Sequence, residues 1–498
     1  MLRLLQVKYI RPRHVPLHRS YATSGLDPLL RNYVKRLSEH QPCFTAGSSN
    51  IRVMHEPSEF YESLLGMIRR AESRIFLSSL YIGSKEGQLV DALYKALQDK
   101  PTLHVRLHLD LNRSTRPGPD STARILLPLL SDFPDRIRVC MFRSPKLKGL
   151  MAKLVPPRFN EGWGTWHPKI YGTDDEVIIS GANLNSSYFT NRQDRYIHIR
   201  SHPHLSQYCF AFLHACAGFT YRLSRSTSSP RGYALRWDDK DVHPHHIEPK
   251  ARRTLLNFQK AYRLASAARL PILDHVGETP LNDVLIFPVI QAGQFGIREE
   301  ERALSLLFDQ ILEQKDTLQG VPVMDITSGY FGIYKNYCDL VLRSHIGCRI
   351  LAASPKANGF YGSRGISGRI PEGYTLLEQR FMQAVQDAGR MPTPQHPGVS
   401  LQEWERDGWT YHAKGLWLRP NESSDPYLTL FGSTNLNSRS ANLDTELSFV
   451  LATTSENLRQ RLSEEAANLW SQAQPWRGNE RPVRLGTKAL VAAVGGML

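Results

Sequence analysis

The 498-residue chain lacks any uninterrupted apolar run near the roughly 18–20 residues that a membrane-spanning helix requires. Its apolar tail, Ala489 to Leu498, is too short and is broken by glycine, so any membrane contact is expected to be peripheral. Cysteine is scarce. Cys43, Cys140, Cys209, Cys216, Cys338 and Cys348 include no CxxC pair, which argues against a structural zinc site or a disulfide framework and for a reducing compartment. Cys209 and Cys216 share an apolar segment and read as one buried helical face. Acidic residues are missing before Asp27, whereas Arg3, Lys8, Arg11, Arg13 and Arg19 all fall there. That one-sided charge excludes an ordinary folded element and is the signature of an organelle transit peptide.

Leu2, Leu4, Leu5, Val7 and Ile10 give this leader an apolar side, and Arg19-Ser20-Tyr21-Ala22 is similar to a mitochondrial processing signal. The expected transit peptide is residues 1–21, with a mature start near Ala22. Its removal takes five charges from a formal net of +15, leaving the mature chain basic. A basic surface attracts phosphate-rich partners: nucleic acid, anionic lipid headgroups or phosphorylated substrates. Charge alone does not choose among them. The chain's length suggests two or three units, each with its own core.

Comparing the chain with itself reveals a duplication. Gly162-Trp163-Gly164-Thr165-Trp166-His167-Pro168-Lys169 is echoed by Gly408-Trp409-Thr410-Tyr411-His412-Ala413-Lys414. Ser180-Gly181-Ala182-Asn183-Leu184-Asn185 is echoed by Phe431-Gly432-Ser433-Thr434-Asn435-Leu436-Asn437. Asp194 and Glu446 each stand eleven residues beyond the matching asparagine, so three landmarks repeat in register.

Helical and strand patterns alternate around these landmarks, as an α/β fold requires. Helices are predicted over Glu59 to Ala71, Leu89 to Leu97 and Glu301 to Leu312. Strands are predicted over Ile75 to Ile82, Leu103 to Leu111, Ile137 to Phe142, Glu176 to Ser180, Val321 to Thr327, Arg349 to Ala353 and Tyr427 to Phe431. The predicted division is a first domain at 40–222, a connection at 223–254 that holds the polar run Ser224 to Gly232, and a second domain at 255–475. His243-Pro244-His245-His246 lacks a defined metal-ligand set and reads as a solvated loop.

An HxK triplet means little alone, because about one is expected by chance in a chain with 18 histidines. Here His167-x-Lys169 is followed by Asp174 and then by Gly181-Ala182-Asn183, the pattern HxK(x)4D(x)6GSxN with Ala182 in place of serine. On a strand, His167 and Lys169 would share one face and aim at the same phosphate. A neutral imidazole can attack phosphorus to form a phosphohistidine, dividing one hard displacement into two. Lysines and asparagines then stabilise the charge gathering on the non-bridging oxygens, so the mechanism requires no metal or other cofactor, although divalent cations could still stimulate it. His412, from the other repeat, is the source of the second imidazole, acting as acid and base. Asp194 and Glu446 are placed to hold the imidazoles through their second nitrogens.

Through these residues the chain resembles the mitochondrial CDP-diacylglycerol–glycerol-3-phosphate 3-phosphatidyltransferases of the phospholipase D superfamily. The resemblance runs through His167 to Tyr171, Ser180 to Leu184 and Tyr188 to Tyr196, with further similar stretches at Ser79 to Gly83, Leu126 to Leu130 and Gly329 to Phe331. It implies two duplicated phospholipase D-like domains, each a mixed sheet flanked by helices, with one active site at their interface.

The resemblance also implies that His167 attacks the phosphorus of CDP-diacylglycerol, that CMP leaves, and that glycerol 3-phosphate accepts the phosphatidyl group. Lys169, Asn183, Lys414 and Asn435 would clamp the phosphate. Asp174 would complete the first motif, whereas the fifth residue after Lys414 is Arg419, so the second motif has lost its acid. That asymmetry favours His167 as nucleophile, with exchanged roles as the alternative. Arg113 and Arg116, with Arg364, are candidates for binding the acceptor phosphate or the cytidine diphosphate, or are solvated surface charges. The expected setting is peripheral contact with an anionic membrane, on the mitochondrial inner membrane. A phosphatidyltransferase or phospholipase using another acceptor is the nearest alternative. A phospholipase D-like nuclease or phosphodiesterase is a more distant one, and no nucleic-acid partner is expected.

Overall fold

The computed structural model describes residues 26–497 apart from 119–120, 150–153, 156–158, 270–281, 317 and 319. The predicted transit peptide, 1–21, lies outside the described residues.

Local sequence sets the elements. In the helix Pro57–Arg70, proline occupies the first turn and the Glu59 carboxylate accepts from the backbone N–H groups of His55 and Glu56. These contacts satisfy donors that a helix start leaves unpaired. Phe60, Leu64, Met67 and Ile68 form its buried stripe, and Ala71 ends it by turning to ψ 132. The strands Arg74–Ser78, His104–Asp110 and Ile137–Phe142 pair in parallel and are largely buried; Ile137–Phe142 is accordingly almost wholly apolar, whereas His104–Asp110 alternates polar with apolar residues.

Strand order makes the duplication visible. In the first sheet, Ile137–Phe142, His104–Asp110, Arg74–Ser78, Ile170–Gly172, Val177–Ser180, Tyr196–Ile199 and Ile51–Met54 lie side by side. In the second sheet, Val399–Trp404, Gly347–Ala353, Val323–Ser328, Lys414–Arg419, Leu428–Gly432, Glu446–Thr453 and Val284–Ala292 take the same order. Each sheet therefore joins parallel strands to an antiparallel set at the same point, directly beside the HxK segment.

The chain crosses between the halves in ways its order does not announce. Phe44–Ala46 pairs with Val284–Ala292 of the second sheet, and the helix Pro28–Ser38 packs on the second half's helix Glu299–Glu313. The stretch 223–254, read as a connection, carries a strand, Tyr233–Arg236, that pairs with Tyr221–Arg225 and extends the first sheet. One apolar cluster draws on both sheets, through Phe76, Trp166, Ile197, Trp417 and Phe449. The helices Pro203–Cys216, Glu248–Arg269 and Glu456–Trp470 contribute to it as well, and Cys209 and Cys216 are buried on the first of them. Truncating the fully buried Trp166 would cost about 3–5 kcal/mol, because the halves could not close over the cavity.

Candidate active site

Backbone pairing between the halves builds the site. Thr410–Tyr411 runs parallel to Arg192–Gln193, and Trp166 bridges to Thr445. The His412 N–H donates to the carbonyl of Gln193 at 2.8 Å, and the His167 N–H donates to that of Thr445 at 3.0 Å. Gln193 and Thr445 immediately precede Asp194 and Glu446, so each histidine is docked beside the acid of the opposite half.

The side chains follow. His167 Nδ1 lies 2.9 Å from both carboxylate oxygens of Glu446, and His412 Nδ1 lies 2.6 Å from Asp194 Oδ2. A donated Nδ1–H fixes the tautomer of His167 and leaves its Nε2 with the lone pair, whereas at His412 Lys414 Nζ also approaches Nδ1, at 2.7 Å, and the Tyr188 hydroxyl lies against Nε2. Lys169 Nζ donates to the His167 carbonyl and Lys414 Nζ to the His412 carbonyl, both at 2.7 Å, and Lys414 Nζ in addition lies 2.7 Å from His412 Nδ1 and 3.6 Å from Asp194 Oδ2. The strand expected to carry His167 and Lys169 starts later, at Ile170. The two residues instead lie between that strand and the Trp166 bridge. Both are buried.

Asn183 and Asn435 are buried at matching positions. Asn183 Nδ2 donates to the Tyr188 hydroxyl at 3.1 Å, and Asn435 Oδ1 has no partner. Thus nine residues were singled out for the site, and eight of them gather at the seam.

Asp174 is the exception and stands apart from the other eight. Half-buried on the far side of the strand pair, its carboxylate accepts from the backbone N–H groups of Glu72, Ser73 and Arg74, holding the turn into Arg74–Ser78. Burial would raise its pKa, but these hydrogen bonds hold it below the ordinary value. The motif aspartate is therefore a structural anchor here. Arg419, its counterpart by position, is also structural: its guanidinium donates to buried Asp325 at 2.9 Å.

The motif serine also needs realignment. Counting back from the asparagines pairs Ser433 with Gly181, not with Ala182. The Ser433 hydroxyl donates to Glu446, whereas a Cβ at Gly181 would run into Asp194 and come 2.6 Å from Lys414 Nζ. Lysine occupies the space that serine fills in the other half. Five residues after the asparagines, Ser440 donates to Glu446 at 2.7 Å, while its counterpart Tyr188 places its hydroxyl 3.3 Å from His412 Nε2.

These differences make the two histidine–acid pairs unlike. Burial alone would raise Glu446, yet the facing His167, together with Lys169 and Ser433, holds it well below its usual range. Burial raises Asp194 to about 6 despite Lys414 nearby. Burial lowers both histidines; Lys414 and Arg192 push His412 further down, while Glu446 opposes the shift at His167. Burial lowers Lys414 to about 8 and carries Lys169 well below its ordinary value. The result is neutral imidazoles beside two lysines and a firmly ionised Glu446, an arrangement suited to nucleophilic attack on an anionic phosphorus ester.

A rim of cations and phenols surrounds the histidines. The Tyr188 and Tyr330 rings lie 5.1 and 5.4 Å from that of His412, and the Arg192 guanidinium stacks 4.6 Å over Tyr188. Arg113 and Arg116 both reach Glu161. Arg364, grouped with them from sequence, is exposed. Tyr188 and Arg192 stand inside the family-like stretch Tyr188 to Tyr196, but nothing in their spacing announced their positions beside His412.

His167, Asp444 and Glu446 bring a ring nitrogen and two carboxylates within 4.8 Å of one another, the sole metal-like group among the described residues. Its donors are already engaged. Glu446 receives His167, Ser433 and Ser440, and Asp444 receives Thr165 and the Arg439 guanidinium.

No family model matches the chain. It is 35% identical over 458 residues to a protein of Dictyostelium discoideum named "Probable CDP-diacylglycerol--glycerol-3-phosphate 3-phosphatidyltransferase", covering 90% of this chain and 77% of that one. It is 36% identical over 449 residues to a mouse protein whose name adds "mitochondrial", covering 86% and 79%. Among solved structures, the phosphatidylserine synthase of Haemophilus influenzae Rd KW20 superposes with a TM-score of 0.66 at 18% identity, covering 95% of this chain and 98% of that one, which shows a shared fold.

Proposed function

The chain belongs to the CDP-diacylglycerol–glycerol-3-phosphate 3-phosphatidyltransferases, the enzymes that join CDP-diacylglycerol and glycerol 3-phosphate into phosphatidylglycerophosphate and CMP, and we propose that it does so by double displacement on His167. The crossed histidine–acid pairing carries this reading, because it brings one imidazole from each half to the same seam, each with its Nδ1 against an acid of the opposite half.

In the first step the His167 Nε2 lone pair attacks the phosphatidyl phosphorus. The bond from phosphorus to the bridging diphosphate oxygen breaks, and CMP leaves with a proton from His412. Binding of the anionic diphosphate raises the proton affinity of His412, which is otherwise neutral, and so equips it for this donation. In the second step a glycerol 3-phosphate hydroxyl gives its proton to His412 and its oxygen attacks the phosphohistidine. Phosphatidylglycerophosphate departs and the His167 lone pair is restored. Lys169, Lys414, Asn183 and Asn435 are the groups assigned to the non-bridging oxygens, so that the chain's own side chains supply the stabilisation and the mechanism calls for no resident cofactor.

The donor's acyl chains require a lipid surface, and the basic charge favours an anionic one. No helix among the described residues is long and apolar enough to cross a membrane. We therefore assign peripheral attachment to the mitochondrial inner membrane, checked by alkaline extraction of mitochondria: release supports it, and retention contradicts it. The reaction is checked by offering CDP-diacylglycerol with each candidate acceptor. CMP release that requires glycerol 3-phosphate supports the reading; release that depends on serine and ignores glycerol 3-phosphate overturns it.

A further inference from the structure

The C-terminal helix Leu485–Val494 has an unusual surface for the outside of a protein. Thr487 and Val491 are buried, while Leu485, Ala489, Ala492 and Ala493 are exposed, and Lys488 is the helix's single charged residue. Leu485 is 83% exposed. A helix apolar on its outer as well as its inner face needs a second apolar phase to cover it.

Its position supplies the second observation. The helix begins against the loop that precedes Ile370–Asp387, with the Gly486 backbone beside Arg369, and Arg484 pairs with Glu372. That loop carries Tyr361 and Ile366, 60% and 56% exposed, and it starts where Gly359 lies against Tyr330 and Arg192 of the catalytic rim. Beyond the helix, Gly495–Met497 packs on Ser438–Asn442, which holds Arg439 against Asp444. The two ends of this apolar surface therefore adjoin elements that bear on the site: Gly359 beside Tyr330 and Arg192, and the Arg439–Asp444 pair. Arg364, Arg369, Arg484 and Lys488 are exposed along it.

We propose that Leu485–Val494, together with Tyr361 and Ile366, is the surface that seats the enzyme in an anionic bilayer, so that the catalytic mouth opens at headgroup level. The proposal rests on the phosphatidyltransferase reading. Apolar side chains enter the acyl boundary, and the flanking arginines and Lys488 meet anionic headgroups. A lipid donor then reaches the buried histidines without its acyl chains crossing water.

The test uses the full mature protein with vesicles of phosphatidylcholine alone or mixed with phosphatidylglycerol. Hydrogen exchange on the unaltered protein should slow at 485–496 and 361–366 when mixed vesicles are added. The double variant Leu485→Asp, Ala492→Asp should bind those vesicles about tenfold more weakly or worse, since it removes an apolar anchor and adds repelled charge. Its CMP release from a water-soluble, short-chain CDP-diacylglycerol should match that of the unaltered protein. Three results overturn the proposal: unchanged exchange at these segments with vesicles bound, protection on Glu248–Arg269 instead, or burial of the helix in a dimer without vesicles. Failure of the unaltered protein to release CMP from the soluble donor would strike the phosphatidyltransferase reading, and the exchange data would still report on the surface.

Discussion

His167 and Glu446 are 279 residues apart in the chain and 2.9 Å apart in the fold, one from each half. The reciprocal contact joins His412 to Asp194, 218 residues away. Neither half holds its own imidazole, so duplication here produces a single site that exists only when both halves fold together. The ion pair between Arg195 and Glu465 seals the same seam, buried and stacked on Trp417.

His167→Ala removes the attacking nitrogen while leaving the backbone contact to Thr445 available. CMP release should fall by about a thousandfold or more, with the fold retained. A variant that keeps more than a tenth of the activity would exclude His167 as nucleophile.

Glu446→Gln keeps the shape of the partner but removes its charge and can reverse the tautomer of His167. Its kcat should drop by about 10²–10⁴-fold with little change in KM, as for other acids that orient a catalytic imidazole. Steady-state kinetics decide it: a rise in KM alone would mean that Glu446 serves substrate binding and not the imidazole.

Asp174→Asn tests the separation of structure from chemistry within one motif. Losing the carboxylate that gathers three backbone N–H groups should lower stability by about 1–3 kcal/mol. Turnover per folded molecule should stay within about threefold of the parent, since the side chain touches no reacting group. Loss of turnover comparable to that of His167→Ala would return Asp174 to the catalytic set.

Much of this arrangement was legible in the chain. The repeated landmarks gave the duplication, and alternating periodicity placed strands such as Ile137–Phe142 at their observed bounds. The crossing of the acids was not legible, because a spacing of eleven residues does not say which half a carboxylate will face. Phe44–Ala46 was hidden for a related reason: a strand's own residues do not name its neighbour, and this one joins the second sheet. The place of Asp174 was not legible, because a linear pattern does not say whether a carboxylate will face the seam or the backbone of a turn. Ala182 was read as the serine position, whereas Gly181 holds it, and the lysine that lies against Gly181, Lys414, comes from the other half.

The pH dependence follows from two groups in the seam. Asp194 titrates at about 6 and Lys414 at about 8, both displaced chiefly by burial. Below about 6, Asp194 is protonated and no longer stabilises a positive His412; above about 8, Lys414 is neutral and no longer attracts phosphate. The profile of kcat/KM, which reports the free enzyme, should therefore be a bell between these values. Lys414→Arg keeps the charge at high pH and should move the alkaline limb, with Lys169, which burial also lowers, left to set what remains of it. An alkaline limb unchanged in that variant would assign it elsewhere.

Gly181→Ser restores in the first half the serine that the second half uses. Its side chain would collide with Asp194 and Lys414, so activity should fall by about tenfold or more, because small misplacements of catalytic groups are costly. Kinetics equal to the parent's would show that the seam can shift to admit a hydroxyl.

The most direct test is to trap the covalent intermediate. The protein is incubated with labelled CDP-diacylglycerol without acceptor, quenched under alkaline conditions and digested, and the label is mapped by mass spectrometry. Because Glu446 occupies Nδ1, the phosphatidyl group should be found on Nε2 of His167 and should be discharged by glycerol 3-phosphate. Label on His412, or on Nδ1 of His167, would contradict the account.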